Sequence, residues 1–292
     1  MKWTIVFCVI TWPLFIWAQV SDHQTFKDTR VINSQSVETL QKRELDFRIG
    51  HRFGNVNSGW PTLWGLENAA DVIFEFDYGL TDNMMIGLVR AKGSGPLKQN
   101  VSGLWKYRVL RQGDNSPFSV AFSALMSVST MRKSENPGQP NFFAKSAHRI
   151  SYMAQVIISS KVSERLAIQI APQWTHRNIV PTGAVNGIDD NNSLPSISGA
   201  AKFQLNKSFA LIVDLTVPFS EFRSQVDAEG NRDFHFPLGF GLEWETGGGH
   251  VFQMNFTNAT GLVETDYIPY TTTSWLDGEY RFGFTIARKF RL

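Results

Sequence analysis

The chain has 292 residues, of which 13% are aromatic and 18% charged, and its formal net charge is +2. A mean hydropathy of −0.17 excludes a helical membrane protein, and the near-neutral balance removes the electrostatic ground for binding nucleic acid. The single cysteine, Cys8, lies within the first eighteen residues; the rest of the chain therefore offers no disulfide, thiolate metal site or cysteine nucleophile.

Residues 1–18 read as a secretory signal peptide: Lys2 supplies the positive start, Trp3 to Trp17 an apolar run too short to span a bilayer, and Ala18-Gln19 a cleavage point, although Ile16 is larger than the usual small residue before it. Residues 19–43 are polar and lack alternation. They read as a periplasmic tail, the simpler alternative, or as a plug folded into a lumen.

From Glu44 onward the sequence runs in period two, the signature of strands with one residue type on each face. Leu45, Phe47 and Ile49 alternate with Asp46, Arg48 and Gly50; Val72, Phe74, Phe76 and Tyr78 alternate with Asp71, Ile73, Glu75 and Asp77. Phe118, Val120, Phe122 and Met126 alternate with Ser119, Ala121, Ser123 and Ser127, and Phe236, Leu238, Phe240 and Trp244 with Gly239, Gly241, Glu243 and Glu245. Twelve such segments are predicted, near 44–53, 70–78, 84–93, 98–110, 117–129, 148–160, 166–176, 195–205, 209–218, 235–246, 250–260 and 278–292. Their connections alternate short and long, with only 94–97 shorter than the pattern asks.

Tight turns on one side, long loops on the other and an even strand number predict an all-β transmembrane antiparallel barrel over 44–292, set in the bacterial outer membrane. A soluble β-sandwich also alternates, but it does not turn its largest aromatic residues toward solvent. The last segment adds to the case. Tyr280, Phe282, Phe284, Ile286, Phe290 and Leu292 share one parity, like the terminal assembly signal of outer-membrane proteins, with Leu in place of the usual Phe.

Several strings carry a resemblance: Thr39-Leu40 through Phe47-Arg48-Ile49, His51-Arg52-Phe53-Gly54, Phe76-Asp77-Tyr78-Gly79-Leu80-Thr81-Asp82, and Lys106-Tyr107-Arg108-Val109-Leu110-Arg111-Gln112. These are similar to an outer-membrane β-barrel family of Bacteroidetes-type bacteria. The resemblance spans most of the mature chain and implies the fold and the compartment; it implies no activity.

If the polar parity faces inward, the lumen is lined by Asp46, Arg48, Arg52, Glu75, Asp77, Lys106, Arg108, Arg149, Lys202, Asp214, Glu243 and Arg281. Both signs are present without a single-sign ring. The set suits either a site for a small polar solute or an internal salt-bridge network that fills the barrel. A remote enzyme candidate is Ser146, His148 and Asn178. A simple register about Val162 sets Ser146 opposite Asn178 and His148 opposite His176 near the external rim, similar to outer-membrane phospholipase but with the order reversed. The loop Gly187-Ile188-Asp189-Asp190-Asn191-Asn192-Ser193 clusters oxygen side chains of the kind that bind Ca²⁺ without the spacing of a calcium loop, and reads as a solvated tip.

No cofactor motif is present, and no metal site is expected. The leading expectation is a narrow channel or binding barrel for small polar solutes, with membrane lipid around it and no enzymatic role. A non-conducting barrel that docks an envelope protein is the alternative, and a rim lipid hydrolase the remote one.

Overall fold

The computed structural model describes residues 24–92, 95–113, 115–180, 186–226, 230 and 232–292; the signal peptide expected over 1–18 lies outside them. Two short strands, β1 (Arg30–Val31) and β2 (Ser34–Gln35), pair with each other. Twelve longer strands follow: β3 (Glu44–Asn55), β4 (Ala69–Thr81), β5 (Met84–Ala91), β6 (Asn100–Leu110), β7 (Ser119–Ser129), β8 (Ile150–Lys161), β9 (Leu166–Arg177), β10 (Ser193–Gln204), β11 (Phe209–Pro218), β12 (Leu238–Glu245), β13 (His250–Thr257) and β14 (Arg281–Arg291). Each pairs antiparallel with its sequence neighbour, and β14 closes on β3, so the barrel has no free edge. Among the described residues one short α-helix, α1 (Glu264–Tyr270), lies in the connection between β13 and β14. No helix among the described residues is long and apolar enough to cross a membrane.

The twelve predicted segments all correspond to barrel strands, with ends displaced by a few residues. Eight to thirteen residues per strand is what a tilted strand needs to cross hydrocarbon. The outer face carries Phe74, Phe76, Leu88, Trp105, Phe122, Met126, Ile170, Trp174, Leu211, Phe240 and Met254, all exposed. In water such a band would cost about 25 cal/mol for each Å² left uncovered; acyl chains cover it without that cost.

The interior is packed. Nearly every residue from Thr25 to Glu38 is buried, although all of them precede the first barrel strand. This segment passes the short-turn mouth beside Gly79, whose carbonyl accepts from Arg43 N at 2.9 Å. A Cβ on Gly79 would come within 1.9 Å of the Gln41 carbonyl oxygen, so only glycine leaves room for the crossing. From the opposite mouth, residues 261–269 with α1 turn inward and are likewise buried.

Apolar residues on the inward parity receive these two insertions. Leu40, Leu262 and Val263 pack with Ile73, Met85, Val89, Leu104, Leu125 and Met153. Phe26, Val31 and Ile32 pack with Ala200 and Ile212, and Val37 with Ala121, Ile157 and Ala171.

Candidate functional site

The inward parity places the expected charges inside. Asp46, Arg48, Arg52, Glu75, Asp77, Lys106, Arg108, Lys202, Asp214 and Glu243 are all buried in the lumen, whereas Arg149 and Arg281 are half-buried near the long-loop mouth. Most of these groups meet the N-terminal segment. Arg30 donates to Glu75 at 2.9 Å and to Glu264, the first residue of α1, at 3.0 Å. Arg48 pairs with Asp28, with Asp46 at 3.3 Å and with Glu75 at 3.4 Å. Arg108 pairs with Glu38 at 2.9 Å. Arg52 donates to the carbonyls of Ala259 and Gly261 and to the Asn33 side chain, and so ties wall, segment and loop together. Lys202 lies 5.8 Å from the Phe26 ring, and Glu243 accepts from Gln253 at 3.2 Å. Arg149 holds the carbonyls of Ser129 and Met131, and Arg281 the carbonyl of Phe53.

A second set of contacts runs to the main chain of the segment. Lys106 Nζ donates to the carbonyls of Thr29 at 2.9 Å, Ser36 at 3.0 Å and Glu38 at 3.3 Å. Asp214 accepts from the backbone N–H of Asn33 at 2.8 Å and of Ser34 at 2.9 Å, across the turn between β1 and β2. Gln169 and Gln253 each both donate to and accept from the segment's peptide groups.

The long-loop mouth is tied down by Asp190, which accepts from Arg177 at 3.0 Å through both carboxylate oxygens and from Arg223 at 2.6 and 2.9 Å. Burial alone would raise the Asp190 carboxyl; the hydrogen bonds from Arg223 and Arg177 outweigh it and hold the group below its ordinary range. Arg223 also donates to the carbonyl of Pro269 in α1, and Gly95 N donates to Asp266 at 2.9 Å. Two external connections thus grip the helix, and Asp190 on a third braces Arg223. Both oxygens of Asp190 are engaged by arginine, so the 187–193 loop does not present that carboxylate to Ca²⁺; among the described residues there is no cluster of acidic, histidine or cysteine side chains suited to a metal.

The register expected for the sixth and seventh barrel segments is corrected. Tyr152, not His148, lies opposite His176, because the turn centres two residues beyond Val162: Lys161 pairs with Ala167, and Val162 N donates to Leu166 O. Ser146 is exposed in a short 3-10 turn, Asn178 donates to the Ala147 carbonyl, and His176 shares a hydrogen bond with Ser193 at 2.9 Å. The register therefore does not assemble Ser146, His148 and Asn178 into a serine–histidine–asparagine relay.

Asp28, Arg30, Glu38, Glu264, Gln169 and Gln253 are absent from the residues expected from sequence, and Asp190, read there as part of a solvated tip, is buried between two arginines. Their signal was available. A water-filled pore has no use for Ile73, Leu104, Leu125 and Met153 on its inward parity, and their presence there points to something packed inside.

A family model described as a membrane bound beta barrel domain (DUF5777) matches residues 26–290, a span that includes the lumen segment. Among solved structures, the KdgM porin in complex with disordered oligogalacturonate matches with a TM-score of 0.50 at 8% identity, over 85% of this chain and 99% of that one. The NanC porin matches with a TM-score of 0.49 at 13% identity, over 85% and 100% of the two chains. An outer membrane channel from Pseudomonas putida F1 matches with 0.49 at 11% identity, over 87% and 98%. Identities this low concern the fold. No curated protein matches the chain. A closed twelve-stranded barrel, an apolar outer band and a family match over most of its length together make this chain a member of the DUF5777 family of membrane-bound β-barrels, located in the outer membrane.

Proposed function

We propose that this barrel is a narrow outer-membrane channel for small polar solutes, closed at rest by its own N-terminal segment. One observation carries the reading. The segment reaches the lumen past the exposed stretch Gln41-Lys42-Arg43 and is held by side-chain contacts and hydrogen bonds, without adding a strand to the wall. It can therefore withdraw toward the periplasm without breaking a barrel strand pair. The polar wall it leaves would carry both charge signs, and twelve strands keep the bore narrower than that of a sixteen-stranded general porin.

The test is single-channel current in a planar bilayer, recorded before and after cleavage at a protease site engineered into residues 41–43 of the folded protein. The expected record is silence, then discrete steps once the segment is released and washed out. Silence in both states favours a second reading, a non-conducting barrel that docks an envelope protein. The observation behind that reading is the ion-pair chain from Arg48 through Glu75 and Arg30 to Glu264, which spans the lumen from wall to cap.

A further inference from the structure

The contacts between wall and segment divide into two kinds, and the second is informative about ligands. Ion pairs and apolar packing depend on the segment's side chains. The contacts of Lys106, Asp214, Gln169 and Gln253 with peptide groups do not. The carboxamide of Gln169 donates to the Gln35 carbonyl at 2.8 Å and accepts from the Val37 N–H at 3.0 Å. That of Gln253 donates to the Arg30 carbonyl at 3.1 Å and accepts from the Ile32 N–H at 3.4 Å. In each case a carbonyl at one residue and an N–H two residues later are bridged by a single amide. A neighbouring parallel strand does the same with the N–H and C=O of one residue, so the two glutamines act as isolated pieces of a partner strand. Such recognition is indifferent to sequence, as in β-strand addition.

We infer that the lumen contains a binding site for the main chain of an extended oligopeptide, and that the N-terminal segment is its resident occupant. The inference rests on the channel reading for its biological sense, but the site itself is a matter of binding. Side chains of either charge find partners there: Arg48 and Arg108 receive the acidic Asp28 and Glu38, while Glu75 and Glu264 receive Arg30. An oligopeptide of mixed charge, entering when the segment leaves, meets the same groups.

The experiment uses the full folded chain cut at the engineered site in residues 41–43, with fluorescence anisotropy of a labelled peptide of residues 24–40 reporting exchange. Three unlabelled competitors are compared: the native peptide, a scrambled peptide of the same composition, and the native peptide N-methylated at Ile32 and Val37. The scrambled peptide is expected to compete well below the native one, because its charges no longer meet Arg48, Glu75 and Arg108, and to keep the same dependence on Gln169 and Gln253 through its main chain. The N-methylated peptide, with unchanged side chains, is expected to lose about tenfold or more for each deleted donor. Gln169→Leu and Gln253→Leu should remove most of that N-methylation penalty.

N-methylation without effect, or an N-methylation penalty unchanged in the Gln169→Leu and Gln253→Leu variants, would overturn the site and leave the segment as a structural part of the barrel. Failure of the labelled peptide to exchange over days in excess counts against it equally. Current recorded on the same preparations separates the two readings. Current without peptide binding removes the peptide site and keeps the channel; peptide binding without current keeps the site and removes the channel.

Discussion

Arg48 shows why single residues matter here beyond their number. Its guanidinium is buried among Asp28, Asp46 and Glu75, and Arg48→Met would leave three carboxylates facing one another without it. Losing one partner of a buried ionic cluster costs roughly 3–5 kcal/mol, so the variant should unfold in urea at markedly lower concentration than the parent, by intrinsic fluorescence of the barrel in detergent. Asp190 makes a prediction with a pH axis. Its carboxyl is held below the ordinary value of 3.8, so its contribution to the cap is complete above that value and is lost as pH falls through the lower, folded-state value. Hydrogen exchange at the amides of α1, corrected for intrinsic rate, should therefore stay slow from neutral pH to about 4 and accelerate below it; Asp190→Asn should show the fast exchange at neutral pH. The inward set of charges was legible from parity alone. Their partners were not, because alternation reports which way a side chain faces and is silent on what it meets there.

At the level of elements, period two, turn spacing and loop asymmetry located every barrel strand, since each is a local property that lipid on one side and a polar interior on the other impose directly. Register was less legible. The β8–β9 hairpin turns two residues later than its composition suggests, enough to separate His148 from His176. The short segment from Thr25 to Glu38 lacks any periodicity because it obeys no single face: it is surrounded by wall on all sides, and only β1 and β2 retain a ladder. Gly79, in β4, is where this segment crosses closest over the barrel wall. Gly79→Ala should push the Gln41 peptide away and loosen the segment while leaving the β4–β5 pairing intact. The expected outcome in a bilayer is brief openings from the uncut protein. An unchanged silent trace, with the cut protein conducting, would show that the crossing at Gly79 does not hold the segment.

For the molecule as a whole, the sequence distances between lumen partners have a kinetic consequence. Val37 meets Gln169 across 132 positions, Asn33 meets Asp214 across 181, and Arg30 meets Glu264 across 234. The residues that leave the ribosome early thus acquire their last partners only when β13 and the connection carrying α1 have arrived. Closing contacts over such separations is entropically slow, and until then Arg30, Asp28 and Glu38 remain hydrated. Refolding should accordingly show two phases, an earlier one in which the wall gains its outer aromatic signal and a later one in which residues 24–40 become resistant to protease. In the interval between them the barrel would be a wet cylinder, and its last step the expulsion of that water by its own N-terminal segment.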